Sequence, residues 1–182
     1  MKKNRLQGLA LIFVGLLLVA IYYVRSYSIR ILSFNSYEIS SKQTETVAEK
    51  IYAKPVSIKI SSLNIDLPVE ESQIINGVWQ VSEKNASHLN SSANPGEGSN
   101  VVIYGHNKRV IFGPIRQIKK DAEIVITTED EILWKYKVVA FFEVTPAEVS
   151  PVLPKNEETL TLYTCTGFAD SKRFIIVANP EW

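Results

Sequence analysis

The first pattern along the chain is an apolar run. From Leu6 to Val24 there are 19 residues without a charge, most of them Leu, Ile, Val, Ala, Phe or Tyr. At 1.5 Å per residue a helix of that length reaches roughly 28 Å, about the hydrocarbon thickness of a bilayer. A membrane-spanning helix is therefore predicted, with Tyr22 and Tyr23 near one interface. Residues 25–54 turn to Ser, Thr, Lys and Glu with weak periodicity, which reads as a stalk. Gln43–Ala53 can hold a short helix there, and Pro55 ends it, because residues before proline are pushed toward extended geometry.

After Pro55 the hydrophobic period becomes two. Val56–Ile60 and Leu63–Val69 are expected as strands across the turn Ser61–Ser62, and Val78–Val81 as a third after the turn pair Asn76–Gly77. Asn85–Ser99 reads as a long polar loop. Val101–Tyr104 is a compact apolar strand ending at Gly105, Phe112–Lys120 has room for one helical turn, and Glu123–Thr128 is a further strand. Ile132–Val144 alternates most clearly, with Ile132, Trp134, Tyr136, Val138, Ala140 and Phe142 on one face and Lys135, Lys137 and Glu143 on the other. Thr145–Glu158 is a loop with three prolines, and Thr159–Thr164 and Arg173–Ala178 complete about eight strands. The expected fold is all-β and mainly antiparallel, a closed barrel with short helices, preceded by the N-terminal helix. The expected organisation is a cytoplasmic stub and anchor over 1–25, a stalk over 26–54 and a globular domain over 55–182.

Charge sharpens this picture. Composition is that of an ordinary globular protein, 46% hydrophobic and 21% charged, with a net charge of +1. Residues 1–30 carry five basic residues and no acid, which leaves 15 basic against 19 acidic residues, about −4, over 31–182. A mildly acidic body without a basic stripe argues against nucleic-acid binding. Lys2, Lys3 and Arg5 precede the apolar run while Arg25 and Arg30 follow it, a bias that predicts a cytoplasmic N-terminus and an external body. A cleaved signal peptide is the competing reading, but the run is long for one and ends without a small-x-small pair.

The chain has one cysteine and two histidines. A lone thiol outside the cell cannot form an internal disulfide and is open to oxidation, so it needs a reason to be there. Alternation puts Leu160 and Leu162 on one strand face and Thr161, Tyr163 and Cys165 on the other. Cys165 then falls at a strand end, an accessible position that suits a nucleophile if something raises its thiolate fraction. His106, just past Gly105, also stands at a strand end, whereas His88 lies in the polar loop. Arg173 opens the next strand, where a hairpin brings it beside Cys165. A guanidinium there can hold a carbonyl or a developing oxyanion. Each residue also has a plainer reading, as a buried apolar cysteine, surface histidines and an arginine paired with Asp170.

Thr161-Leu162-Tyr163-Thr164-Cys165 resembles the Thr-Leu-x-Thr-Cys signature of sortases, with an arginine soon after on the last strand. Val101-Val102-Ile103-Tyr104-Gly105-His106 is similar to that family's apolar strand ending in Gly-His. Ala86-Ser87-His88 through Pro95-Gly96-Glu97 resembles the loop before that histidine in several classes. The likeness covers about residues 55–180. It implies an eight-stranded sortase-like barrel and a thiol transpeptidase, with Cys165 as nucleophile, His106 as acid/base partner and Arg173 as electrophilic stabiliser. It also implies His88 and Thr164 as accessory candidates.

The implied substrates are secreted proteins with a C-terminal sorting signal such as Leu-Pro-x-Thr-Gly. The implied acceptor is an amine of a peptidoglycan precursor or a pilin. The enzyme would sit at the cell membrane as a single-pass protein with its catalytic domain outside. Val144, Pro146, Val152 and Leu153, with Val149 and Pro154, are candidate walls of a groove for the signal's Leu-Pro, or else loop packing. No span after Trp182 is expected, unlike many pilin-polymerising members, and Thr145–Glu158 is too short and proline-rich for the long helix that marks another class. No cofactor is expected, and the acidic run Glu129-Asp130-Glu131 reads as a solvated hairpin tip rather than a calcium site. Two other functions remain, a membrane-anchored cysteine endopeptidase with water as acceptor and a non-catalytic anchored barrel that binds a partner.

Overall fold

The computed structural model describes residues 12–22 and 52–181. Residues 12–22 are helical and exposed throughout. Among the described residues no helix is long and apolar enough to cross a membrane. The flanks of the predicted span and the stalk as far as residue 51 lie outside the described residues.

Ten strands follow: β1 (Pro55–Ile60), β2 (Ile65–Ser72), β3 (Ile74–Ile75), β4 (Val78–Trp79), β5 (Ala86–Leu89), β6 (Asn100–Tyr104), β7 (Glu123–Thr128), β8 (Leu133–Val144), β9 (Thr159–Thr166) and β10 (Lys172–Pro180). Eight of them close a barrel in the order β1-β2-β5-β6-β9-β10-β8-β7, while β3 and β4 form a separate ribbon. The expected count of eight holds, but its membership differs. Val78–Val81, read as a barrel strand, supplies only two residues to the ribbon, across a turn in which Asn76 and Gly77 both take positive φ (51° and 75°). The missing strand is Ala86–Leu89, inside the stretch read as a polar loop. It hides from a hydrophobic pattern because two polar residues, Ser87 and His88, are buried there: Ser82 N donates to Ser87 Oγ (2.8 Å) and His88 Nε2 bonds the Ala93 carbonyl (3.1 Å).

The lumen is filled by one side of every barrel strand, including Ile58, Ile60, Val101, Ile103, Ile124, Ile126, Tyr136, Val138, Leu160, Leu162 and Ile176. Burying each of these is favourable by about 1.5–3 kcal/mol. A second apolar cluster covers the outside of β6, β9 and β10: Val102, Tyr104, Tyr163, Cys165 and Ile175, packed with Trp79 of the ribbon and Val152 of the β8–β9 loop. Tyr104 and Tyr163 stack with ring centroids 5.1 Å apart, and Trp79 meets both edge-on.

In β8 the alternation breaks. The register against β10 slips between Val177 and Ala178, so Val138 pairs with Ala178 while Ala140 pairs with Val177. Beyond that bulge the core parity inverts. Phe141 joins Phe174, with ring centroids 6.1 Å apart, and Phe142 faces out beside Ile175. The expectation that Ala140 and Phe142 continue the Trp134–Tyr136–Val138 face fails for that reason. Glu129–Glu131 do form the turn between β7 and β8, where Thr128 Oγ1 donates to Asp130 Oδ1 (2.5 Å). The helical turn expected in Phe112–Lys120 is a 3-10 turn over Gly113–Gln117.

Two of the eight barrel pairings are parallel, β2 with β5 and β6 with β9. The second brings the C-terminal ends of two strands, far apart in sequence, to the same end of the barrel. Everything at the candidate site follows from it.

Candidate active site

Register brings the three candidate residues to one level, Cys165 and Arg173 on adjacent strands and His106 just past the end of β6. In the β6–β9 pair Tyr104 stands beside Tyr163. Gly105 N donates to the Tyr163 carbonyl (3.2 Å) and Thr164 Oγ1 donates to the Gly105 carbonyl (2.7 Å). The two bonds carry the chain one residue further in step with β9, so His106 follows Gly105 as Cys165 follows Thr164. On the other side of β9, Arg173 of β10 is the register partner of Cys165. Directly opposed residues in an antiparallel pair lie on the same face with Cα atoms ~5 Å apart. Cys165 and Arg173 thus share the outer face with Tyr163 and Ile175.

Gly105 has a steric role. It takes no positive φ, but a Cβ there would lie 2.9 Å from Ile111 Cγ2 and 3.2–3.3 Å from the Phe112 ring. The turn after His106 folds back onto it: Lys108 N and Phe112 N both donate to the His106 carbonyl (2.7 and 3.2 Å). Gly105→Ala is expected to destabilise the fold by about 1–3 kcal/mol through overpacking and to displace His106. A denaturant melt checks the first effect, and a midpoint equal to wild type would contradict it.

Cys165 is 4% exposed, and its strand runs on to Thr166 because Lys172 still pairs there. The expected accessible strand-end thiol is therefore corrected to a thiol in a strand, covered by the second cluster. Burial pushes its pKa up to about 11, Arg173 opposing and Asp170 reinforcing that shift. Burial likewise pushes His106 down, against the pull of the Glu83 carboxylate. At neutral pH the Cys165 thiol and the His106 imidazole are thus both predominantly uncharged.

Arg173 is 2% exposed, and its Nη1 donates to the carbonyls of Asp170 and Lys172 (3.0 Å each). The β9–β10 loop bends to present the first of them through left-handed Ala169 (φ 52°) and Asp170 (φ 59°), a conformation non-glycine residues enter at a cost. The loop tip exposes Phe168 almost fully.

The accessory and groove candidates divide. Thr164 is fully buried and fastens Gly105. His88 is buried in β5, paired with Ile103, and alternation puts its ring on the lumen side with Ala86, away from Cys165. Val144 and Val152 pack in the cluster that holds Cys165, and Val149 joins them. Pro146 and Leu153 are half-buried and stand outside that cluster.

Sequence reasoning missed Asn100 and Glu83. Asn100 is buried at the start of β6. Its Nδ2 donates to the carbonyls of Pro151 and Leu153 (2.9 Å each), and Thr161 Oγ1 donates to its Oδ1 (2.8 Å). One amide thereby fixes the loop carrying Val152 to the barrel. A polar residue opening an otherwise apolar strand was the available signal. For Glu83, an acid in a loop, no sequence signal existed. A surface cavity of about 500 Å³ lined in part by Gly96, Asn156, Glu158 and Asn179 lies at the opposite end of β9. The Glu158 carboxylate there is already taken up by Tyr136 OH (2.7 Å) and Gly96 N (2.9 Å).

The sortase domain model matches residues 58–181. Among solved structures, a sortase D5 transpeptidase of Clostridium perfringens is 26% identical, with 82% of this chain and 91% of that one covered and a TM-score of 0.61. Sortase A of Listeria monocytogenes is 27% identical, over 70% of this chain and 88% of that one, with a TM-score of 0.58. Sortase C of Streptococcus pneumoniae, 24% identical over 73% and 71% at a TM-score of 0.60, shares the fold. No curated protein matches the chain.

Proposed function

This chain belongs to the sortase family of cysteine transpeptidases, and we propose that it cleaves a Leu-Pro-x-Thr-Gly-like sorting signal in secreted proteins and transfers the acyl group to an amine. The observation that carries the reading is the register of three neighbouring strands, with Cys165 opposite Arg173 on one side and one residue past the Gly105–Thr164 bond on the other.

The thiol first loses its proton to His106, and Sγ attacks the carbonyl carbon of the signal's threonine. Negative charge develops on the carbonyl oxygen, where a neighbouring guanidinium favours it. The C–N bond to glycine breaks as the imidazolium returns its proton to the departing amine, leaving a thioester on Cys165. An incoming amine attacks that thioester, His106 takes the amine's proton, and the sulfur leaves as a thiolate that is reprotonated. The thioester retains the acyl group's reactivity, so an amine can replace the glycine without an external energy source. The half-buried Val144 and Val149, packed on buried Val152 in the cluster that holds Cys165, suit the Leu-Pro portion of the signal. The acceptor is an amine of the peptidoglycan precursor or of a pilin. Residues 6–24 anchor the enzyme in the cell membrane with the barrel outside, a placement supported by the uncharged apolar run and the cationic flank before it.

Mass spectrometry of the protein with a library of signal peptides and an amine acceptor tests the reading. The expected products are the ligated peptide and an acyl-enzyme on Cys165, both lost in Cys165→Ala. Free acid as the sole product would make the enzyme a protease, and ligation by the alanine variant would end the mechanism.

A further inference from the structure

His106 faces a carboxylate that no step above uses. Its Nε2 lies 3.4 Å from Glu83 Oε1, and the other carboxylate oxygen, Oε2, lies 2.5 Å from Lys108 Nζ. The same ammonium donates to the Glu83 backbone carbonyl (3.2 Å). Glu83 belongs to the β4–β5 loop, whereas His106 and Lys108 belong to the turn after β6, so the contact bridges two separate segments.

Both segments are held by their own backbones. In the first, Ser82 N donates to the buried Ser87 hydroxyl, and Asn85 N donates to Ser82 Oγ (3.1 Å). In the second, Lys108 N is tied to the His106 carbonyl, and the Lys108 carbonyl accepts from Ile111 N and Gly113 N (3.0 and 2.9 Å). Gly113 permits that last approach, since a Cβ there would meet the Lys108 carbonyl oxygen at 2.8 Å. The ammonium that grips Glu83 is therefore set by the same turn that sets the imidazole.

We propose that Glu83, anchored by Lys108, is a positioning residue for His106: it faces the Nε2 edge of the imidazole at ion-pair distance and pairs with the imidazolium formed during catalysis. The inference rests on the reading of His106 as the proton-transfer group. Glu83 does not touch the substrate's reacting atoms. Three charged groups act on the ring: Glu83 from the β4–β5 loop, Lys108 from its own turn and Asp170 from the β9–β10 loop. The two acids favour the charged ring and the lysine opposes it. Glu83 is the largest of the three and the one in contact.

The consequence for catalysis has a definite sign. The active pair is thiolate with imidazolium, and its population scales with the gap between the two pKa values. Removing the Glu83 charge lowers the His106 pKa and thins that population. In Glu83→Gln the acid limb of the kcat/KM profile moves to lower pH, and its plateau falls by about two- to fivefold, the range of an exposed ion pair. Because the Glu83 side chain is 74% exposed, the effect shrinks in high salt.

The test is an NMR pH titration of the imidazole protons in the full-length protein, wild type, Glu83→Gln and Glu83→Asp. There are only two histidines, and His88, on the lumen side of β5, serves as internal reference. The expected result is a lowered His106 midpoint in Glu83→Gln, substantially restored in Glu83→Asp, with His88 unmoved and the kcat/KM acid limb following His106. An unchanged His106 midpoint in Glu83→Gln overturns the inference, as does an activity loss with no movement of the acid limb. Failure of wild type to ligate any signal peptide would instead sink the proposed function, and the titration separates the two.

Discussion

Iodoacetamide should alkylate Cys165 about ten times faster with each unit of pH from 7 to 10, bending over only near pH 11. The thiolate is the nucleophile, and burial in the cluster around Trp79, Val152 and Tyr163 penalises it enough to push the pKa up to about 11 from an ordinary 9.0. At pH 7 the thiolate fraction is then about 10⁻⁴, so the rate spans roughly three to four orders of magnitude across the titration. The absolute rate also depends on how often the covering side chains part, but the slope against pH does not. Cys165 is the sole cysteine, so every alkylated molecule reports on it. A plateau already reached by pH 8 would mean a thiolate stabilised by His106 in the resting enzyme, and would overturn the uncharged pair described here. Substrate has the opposite incentive. In the proposed reaction a bound signal peptide supplies a carbonyl for the charge to move onto, so the unfavourable ionisation is coupled to bond formation.

The second large effect belongs to Arg173. Arg173→Ala is expected to lower kcat by about 10²–10³, the cost of losing one oxyanion donor in comparable sites. Arg173→Lys should recover only a small part of it, since an ammonium carries the charge but lacks the planar fork. A structural contribution accompanies the electrostatic one. Nη1 holds the carbonyls of Asp170 and Lys172, and the Ala169–Asp170 pair sits in left-handed geometry that this contact helps maintain. Arg173 also pulls the Cys165 pKa down, so Arg173→Gln should slow alkylation at pH 9 as well as catalysis. Steady-state kinetics with a signal peptide, beside a thermal melt to verify folding, decides the matter. An alanine variant within about threefold of wild type would remove Arg173 from the mechanism.

Site and fold differ in how far each is legible in the sequence. The Thr161–Cys165 signature, the Gly105–His106 strand end and Arg173 all stood out, because each is a local pattern of residue type and spacing. Alternation also separates Leu160 and Leu162 from Tyr163 and Cys165, and the structure turns the first pair to the lumen and the second to the outer face. Parity of that kind holds wherever a strand is unbroken. It fails at the β8 bulge, since one extra residue reverses every side chain beyond it and nothing in Val138-Val139-Ala140 announces the slip. It fails also at β5, whose Ser87 and His88 look solvent-exposed until their hydrogen-bond partners are known.

By itself the sequence determined the residue types able to do thiol chemistry, the apolar strands that must close on a core and the mildly acidic body outside an apolar N-terminal run. Tertiary structure alone decided that β6 and β9 pair in parallel, that Cys165 is covered rather than open, that Asn100 fastens the loop beside it and that Glu83 meets His106. The physical reason is range. Hydrophobic period and turn chemistry act between residues a few positions apart, whereas desolvation and ion pairing depend on neighbours that only the closed barrel supplies.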